Sequence, residues 1–200
     1  MRAIKHSFIL ASASPRRKEL LKKAGYNFDV AVSNIDESEI PTRGLTPRQF
    51  ACAAALAKAN DVARRLPDKI VIAADTIADF DGEIIGKAQN AKQAEQITRK
   101  LFSKPHKVIT AIAIVKKNTG LELVDYDTTT VYPKKPTEPQ IAEHIASKLW
   151  KDKAGAYAIQ QGGDKFIDHI EGSESNVMGL SMELFEKMIK KVDFNPKSNL

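Results

Sequence analysis

Apolar and polar positions change period repeatedly along the chain, and the changes predict a strict succession of elements. Phe8-Ile9-Leu10-Ala11 is a short unbroken apolar run, as in a strand buried on both faces. It gives way at Ser12-Ala13-Ser14-Pro15 to a helical pattern that opens with Arg16 and Arg17. Ser14 suits an N-cap and Pro15 a first helical position, and Gly25 supplies the stop. Asn27 to Ser33 alternates as a second strand. Thr46-Pro47 starts a second helix that should run to about Leu66, where Pro67 ends it. Ile70 to Phe80 reads as a central strand, β-branched and nearly uninterrupted, with one polar pair, Asp75-Thr76, in its middle. Asp81-Gly82 predicts a hairpin returning through Glu83 to Lys87. A helix over Ala91 to Phe102, strands over His106 to Lys116 and Leu121 to Tyr132, and a helix opened by the capping box Thr137-Glu138-Pro139-Gln140 follow. The small-residue segment Asp152 to Gly163 suits a loop passing close to a ligand. A strand near Phe166 to Ile170, a Gly/Ser turn and a helix from about Leu180 to Lys191 complete the pattern, and the tail from Phe194 to Leu200 is polar. Strands mixed with helices and at least two hairpins predict a mixed sheet flanked by helices.

Composition narrows the class. Two hundred residues with 42% hydrophobic content can bury a substantial core, and residues 1–200 read as one domain with two lobes. The longest apolar run, Ile70-Val71-Ile72-Ala73-Ala74, is too short to span a bilayer, and no secretory signal pattern opens the chain, so a soluble cytoplasmic protein with no membrane partner is expected. Cys52, single and set among alanines, reads as packing rather than chemistry. The four histidines lack zinc-site spacing. A formal charge of +6 suits an acidic partner, either a nucleotide or a nucleic acid. No basic strip interleaved with aromatic residues is evident, which weighs against nucleic acid, but charge alone does not choose.

The chemistry concentrates at a few positions. Backbone N–H groups at the start of the first helix and the guanidinium groups of Arg16 and Arg17 should converge on one volume at the end of the sheet. Basic residues there oppose the helix dipole unless an anion, such as a phosphate chain, compensates them. Asp75 is expensive in an apolar strand unless it is paired with a lysine, bound to metal, or set in a cleft. Lys58, Lys87 and Lys153 each have small or apolar neighbours. Each alone reads as a solvated lysine, and only convergence on one cleft would make them functional. Gly86-Lys87-Ala88 is no P-loop, since the upstream glycine and the Ser or Thr that holds Mg²⁺ are missing. Asp36 and Glu37 lie in a polar loop, where Glu37 together with Asp75 could hold Mg²⁺ or Mn²⁺ beside phosphate oxygens.

Four blocks in order, Leu10 to Leu21, Ala73-Ala74-Asp75-Thr76-Ile77, Asp152 to Gln160, and Gly172-Ser173-Glu174-Ser175-Asn176-Val177-Met178-Gly179-Leu180, resemble the Maf family of nucleoside triphosphate pyrophosphatases. The resemblance implies an α/β fold with a mixed, strongly twisted sheet flanked by helices and two lobes around a nucleotide-binding cleft, of the Maf/ITPase-like kind. It implies house-cleaning hydrolysis of a nucleoside triphosphate to a monophosphate and pyrophosphate with a divalent metal, Mg or Mn. It assigns phosphate binding to Ser12, Ser14, Arg16 and Arg17, the water-activating base to Asp75, and completion of the site to Lys58, Lys87 and Glu37. Arg16, Thr76 and Gln160 match the branch acting on dTTP and UTP, and Lys153-Ala154-Gly155-Ala156-Tyr157 fits it too. A different modified nucleotide such as 7-methyl-GTP, or a non-catalytic regulator of cell division that binds nucleotide or nucleic acid, are the competing readings, and a homodimer is plausible from the resemblance. The chain departs from the family pattern at Ala88, Lys104-Pro105 and Ser181. The missing proline after Lys87 would loosen the loop that carries that lysine.

Overall fold

The computed structural model describes residues 7–36, 40–41, 43–151, 153–157 and 166–192. In chain order the elements are β1 (Phe8–Leu10), α1 (Pro15–Lys23), β2 (Phe28–Val30), α2 (Pro47–Arg65), β3 (Val71–Phe80), β4 (Glu83–Ile85), α3 (Ala91–Leu101), β5 (His106–Lys116), β6 (Leu121–Pro133), α4 (Glu138–Ser147), β7 (Ile167–Glu171), α5 (Glu174–Val177) and α6 (Met182–Ile189). The strands form one mixed sheet in the order β2-β1-β3-β5-β6-β7, with β4 paired to β3 outside that path. β1 runs parallel to β2 and β3, whereas β3, β5, β6 and β7 are antiparallel neighbours. The α/β class and the mixed, helix-flanked sheet are as the pattern predicts. No described helix is long and apolar enough to cross a membrane.

Period-2 alternation along β3 divides the core between two faces. Val71, Ala73 and Ile77 point to α2, whose Ala51, Ala54, Ala55 and Ala59 are small enough to bring the helix close to the sheet. Ile72 and Ala74 point the other way, onto Leu21 of α1 and Leu184, Phe185 and Met188 of α6. A third cluster joins α3 to Phe102, Trp150, Tyr157 and Phe166. The expected capping box at α4 forms, the Gln140 side chain accepting from the Thr137 N–H at 2.8 Å, and α2 has a second one, in which Gln49 accepts from the Thr46 N–H at 2.9 Å.

Three boundaries differ from the sequence pattern. β2 keeps only Phe28–Val30, because it is an edge strand with β1 as its one partner. The expected Gly/Ser turn holds the short α5, whose Asn176 N–H donates to the Ser173 hydroxyl. α6 begins at Met182, with Ser181 at its N-cap and Leu180 buried ahead of it. Cys52 is half-buried against the α2 cluster, and burial pushes its thiol above the usual range, aided by the charge of Asp125. The polar tail lies outside the described residues.

One irregularity of the sheet positions everything that follows. β1 ends at Leu10, opposite Ile72, and β4 meets β3 only from Ala78 onward. Between them, Ala73 to Ile77 has β5 on one edge and no strand of the described residues on the other. This notch opens beyond the C-terminal end of β1, where α1 departs over one face of the sheet and α2 returns over the other. Open α/β sheets bind ligands at such divergences.

Candidate active site

The notch is the floor of a cleft of about 510 Å³. At one wall stands the N-terminus of α1. Ser14 occupies the N-cap, but its side chain does not cap, and the first turn carries no acidic residue. The Ser14 N–H donates to Ser12 Oγ instead, at 3.2 Å. The helix therefore keeps the positive end of its dipole directed at the cleft, alongside Arg16 and Arg17.

Asp75 and Thr76 both reach the cleft although they point to opposite faces, because the notch exposes the edge of the strand. Asp75 faces α2, and Lys58 of that helix donates to its Oδ1 at 2.6 Å, the two side chains being 6% and 11% exposed. The two readings of Asp75 thus hold together: it pairs with a lysine, and the pair lines the cleft.

Thr76 faces the other side and meets Arg17. The ties of the guanidinium include Nε to the Gly179 carbonyl at 2.7 Å, Nη1 to Ser12 Oγ at 3.2 Å and Nη2 to Thr76 Oγ1 at 3.1 Å. Gly179 has φ of +111°, a backbone conformation that favours glycine, while the space around it would admit a Cβ.

The far wall brings two lysines together. Lys87 pairs with Ala154 in an isolated antiparallel bridge, and the Gly155 N–H donates to the Gly86 carbonyl at 3.0 Å, which sets Lys87 and Lys153 beside the same opening. The Lys153 ammonium donates to the Leu149 carbonyl. Behind them Tyr157 OH lies 2.7 Å from Nε2 of buried His106, and His144 Nε2 lies 2.8 Å from the Ala156 carbonyl. Gly155, at φ +70°, leaves no room for a Cβ, which would come 2.8 Å from Leu101 Cδ1.

Of the residues singled out in the sequence, Ser12, Ser14, Arg16, Arg17, Lys58, Asp75, Thr76, Lys87 and Lys153 line this one cleft, while Glu37 and Gln160 lie outside the described residues. Lys151 also lines it and carried no signal beyond its place in a lysine-rich stretch. Among the described lining residues six are Lys or Arg, and the one carboxylate is Asp75. The described residues hold no cluster of three or more His, Cys, Asp or Glu, so they make no closed protein cage for a metal. A single carboxylate beside a cationic pocket fits the other arrangement, in which Mg²⁺ or Mn²⁺ takes one or two protein oxygens and completes its shell from phosphate and water.

A family model described as Maf-like protein matches residues 7–192. The chain belongs to the Maf-like protein family. Relatives include proteins named dTTP/UTP pyrophosphatase from Geotalea uraniireducens, 43% identical over 91% of this chain and 93% of the relative, and from Methanosarcina barkeri, 39% identical over 92% of each. The Staphylococcus aureus Ham1 protein, at 13% identity, shares the fold with a TM-score of 0.55, covering 92% of this chain and 98% of that one. In this Maf-like chain, the Gly86-Lys87 segment is paired to Lys153–Gly155.

Proposed function

We propose that this chain hydrolyses nucleoside triphosphates between the α and β phosphates, with dTTP and UTP as its substrates, releasing the monophosphate and pyrophosphate. The observation that carries the reading is Asp75, a buried carboxylate paired with Lys58 and set among cationic groups beside a helix N-terminus. The names of the relatives support the choice of nucleotide. Arg16, Arg17, Lys87, Lys153 and the first turn of α1 bind and neutralise the triphosphate, which lowers the cost of charge moving onto the pyrophosphate leaving group. Water adds to the α-phosphorus, the α–β bridging bond breaks with its electron pair leaving on pyrophosphate, and the proton of the water passes to an oxygen of Asp75. Lys58 orients that carboxylate and balances its charge. A divalent cation held by Asp75, with Glu37 a second candidate ligand, would supply further neutralisation of the phosphate oxygens.

The test is pyrophosphate release from a panel of dTTP, UTP, dCTP, the purine triphosphates and 7-methyl-GTP, with Mg²⁺, with Mn²⁺ and with chelator. dTTP and UTP should lead, and chelator should stop turnover. Asp75→Asn should lower kcat by roughly a hundredfold or more while nucleotide binding persists. A purine preference overturns the substrate assignment, and a fully active Asp75→Asn overturns the role of the carboxylate.

A further inference from the structure

Thr76 and Thr110 face each other across β3 and β5 with their hydroxyl oxygens 2.9 Å apart. Each hydroxyl has one proton, so the direction of this hydrogen bond is decided by what lies on either side of it. Thr110 Oγ1 is 2.8 Å from the main-chain carbonyl of Asn176, which can only accept. The Thr110 proton therefore goes to Asn176, and Thr76 is the donor in the 2.9 Å contact. The reverse order would leave the Asn176 contact without a proton and send the Thr76 proton to the Gly179 carbonyl at 3.4 Å, the longest distance in the set. With its proton committed inward, Thr76 Oγ1 accepts, and the group donating to it is Nη2 of Arg17.

The far end of this relay is itself anchored. Asn176 is fully buried, and its side-chain amide donates to the Val108 carbonyl at 3.0 Å and to Thr129 Oγ1 at 2.9 Å. Thr129 in turn donates to the Ser173 carbonyl at 3.0 Å.

We infer that Thr110 is a positioning residue for triphosphate binding: directed by the Asn176 carbonyl, it turns the Thr76 hydroxyl into a fixed acceptor that holds Arg17 in place. A guanidinium held before the ligand arrives loses little freedom when phosphate binds, so the contribution falls on binding rather than on the chemical step. The inference rests on the pyrophosphatase reading for its kinetic consequence, but the hold on Arg17 is measurable without it.

Thr110→Val keeps the shape and removes the relay, Thr110→Ser keeps the relay, and Thr98→Val removes a buried hydroxyl outside it, one that donates to the Ala94 carbonyl within α3. Thr110→Val should raise KM for dTTP about fivefold, the scale of one neutral hydrogen bond, with kcat changed little. Thr110→Ser should restore the wild-type KM, and Thr98→Val should leave KM unchanged. In parallel, the Arg17 Nε–H resonance, assigned by its loss in Arg17→Lys, should be sharp in the wild type and in Thr110→Ser and broadened by exchange in Thr110→Val. A KM shift in Thr110→Val no larger than in Thr98→Val, or an Arg17 resonance that stays sharp in Thr110→Val, overturns the inference. A wild type that releases no pyrophosphate from any triphosphate overturns the enzyme reading instead, and the resonance still decides the relay. Thr76→Val, at a half-buried position, gives the same readouts if Thr110→Val does not fold.

Discussion

Asp75 and Lys58 show how one ion pair can serve both the fold and the chemistry. Neither charge is well solvated, so removing one partner leaves the other buried without compensation. Lys58→Met should destabilise the protein by about 3 kcal/mol, and adding Asp75→Asn in the same chain should recover much of that loss, as read from urea unfolding midpoints. Activity should not return in the double variant, which separates the two duties. Asp75 was legible in the sequence because a carboxylate inside an apolar strand needs a reason. Its partner was not legible in the same way. Lys58 has alanine neighbours, but what selects it among the basic residues is the rotational phase of α2 against β3, a tertiary quantity. Lys151 shows the limit, since a lysine in a lysine-rich stretch looks solvated until the fold turns it into the cleft.

At the level of elements, the segment Lys153–Tyr157 is held from behind by histidines. His106 is packed against Phe102 and Tyr157, and burial holds its imidazole below the usual range. The folded protein thus keeps His106 neutral where the unfolded chain takes up a proton. Stability from this group is complete above about pH 6.5 and declines as pH falls through that value toward the folded one. His106→Asn should flatten the fall of Tm between about pH 7 and about pH 5.5 relative to wild type, while costing stability at neutral pH through the lost contact to Tyr157. The elements themselves followed from local rules: the Thr46-Pro47 start, the capping box Thr137-Glu138-Pro139-Gln140, the Asp81-Gly82 turn, and the unbroken apolar run of β3. The bridge from Lys87 to Ala154 and the short α5 did not follow, because a single pairing between loops and one turn of helix leave no periodic trace.

Across the whole molecule, the net charge of +6 meets a cleft that concentrates positive charge beside a helix dipole. For a triphosphate this is an attraction that salt screens, so kcat/KM for dTTP should fall steadily as NaCl rises from about 50 to about 500 mM, with kcat alone much less affected. The notch in the sheet has a consequence that reaches the backbone. The carbonyls of Ile70 and Ile72 accept from the Ile9 and Ala11 N–H groups at 2.8 Å, and strand alternation then aims the amides of Ala74 and Thr76 out of the same edge, where β1 has ended and β4 has not begun. The amides of Asp75 and Ile77 aim the opposite way, into the ladder with β5. Deuterium uptake should therefore stutter along a single central strand, fast at Ala74 and Thr76 and slow at Asp75 and Ile77, and a bound triphosphate should slow the fast pair alone.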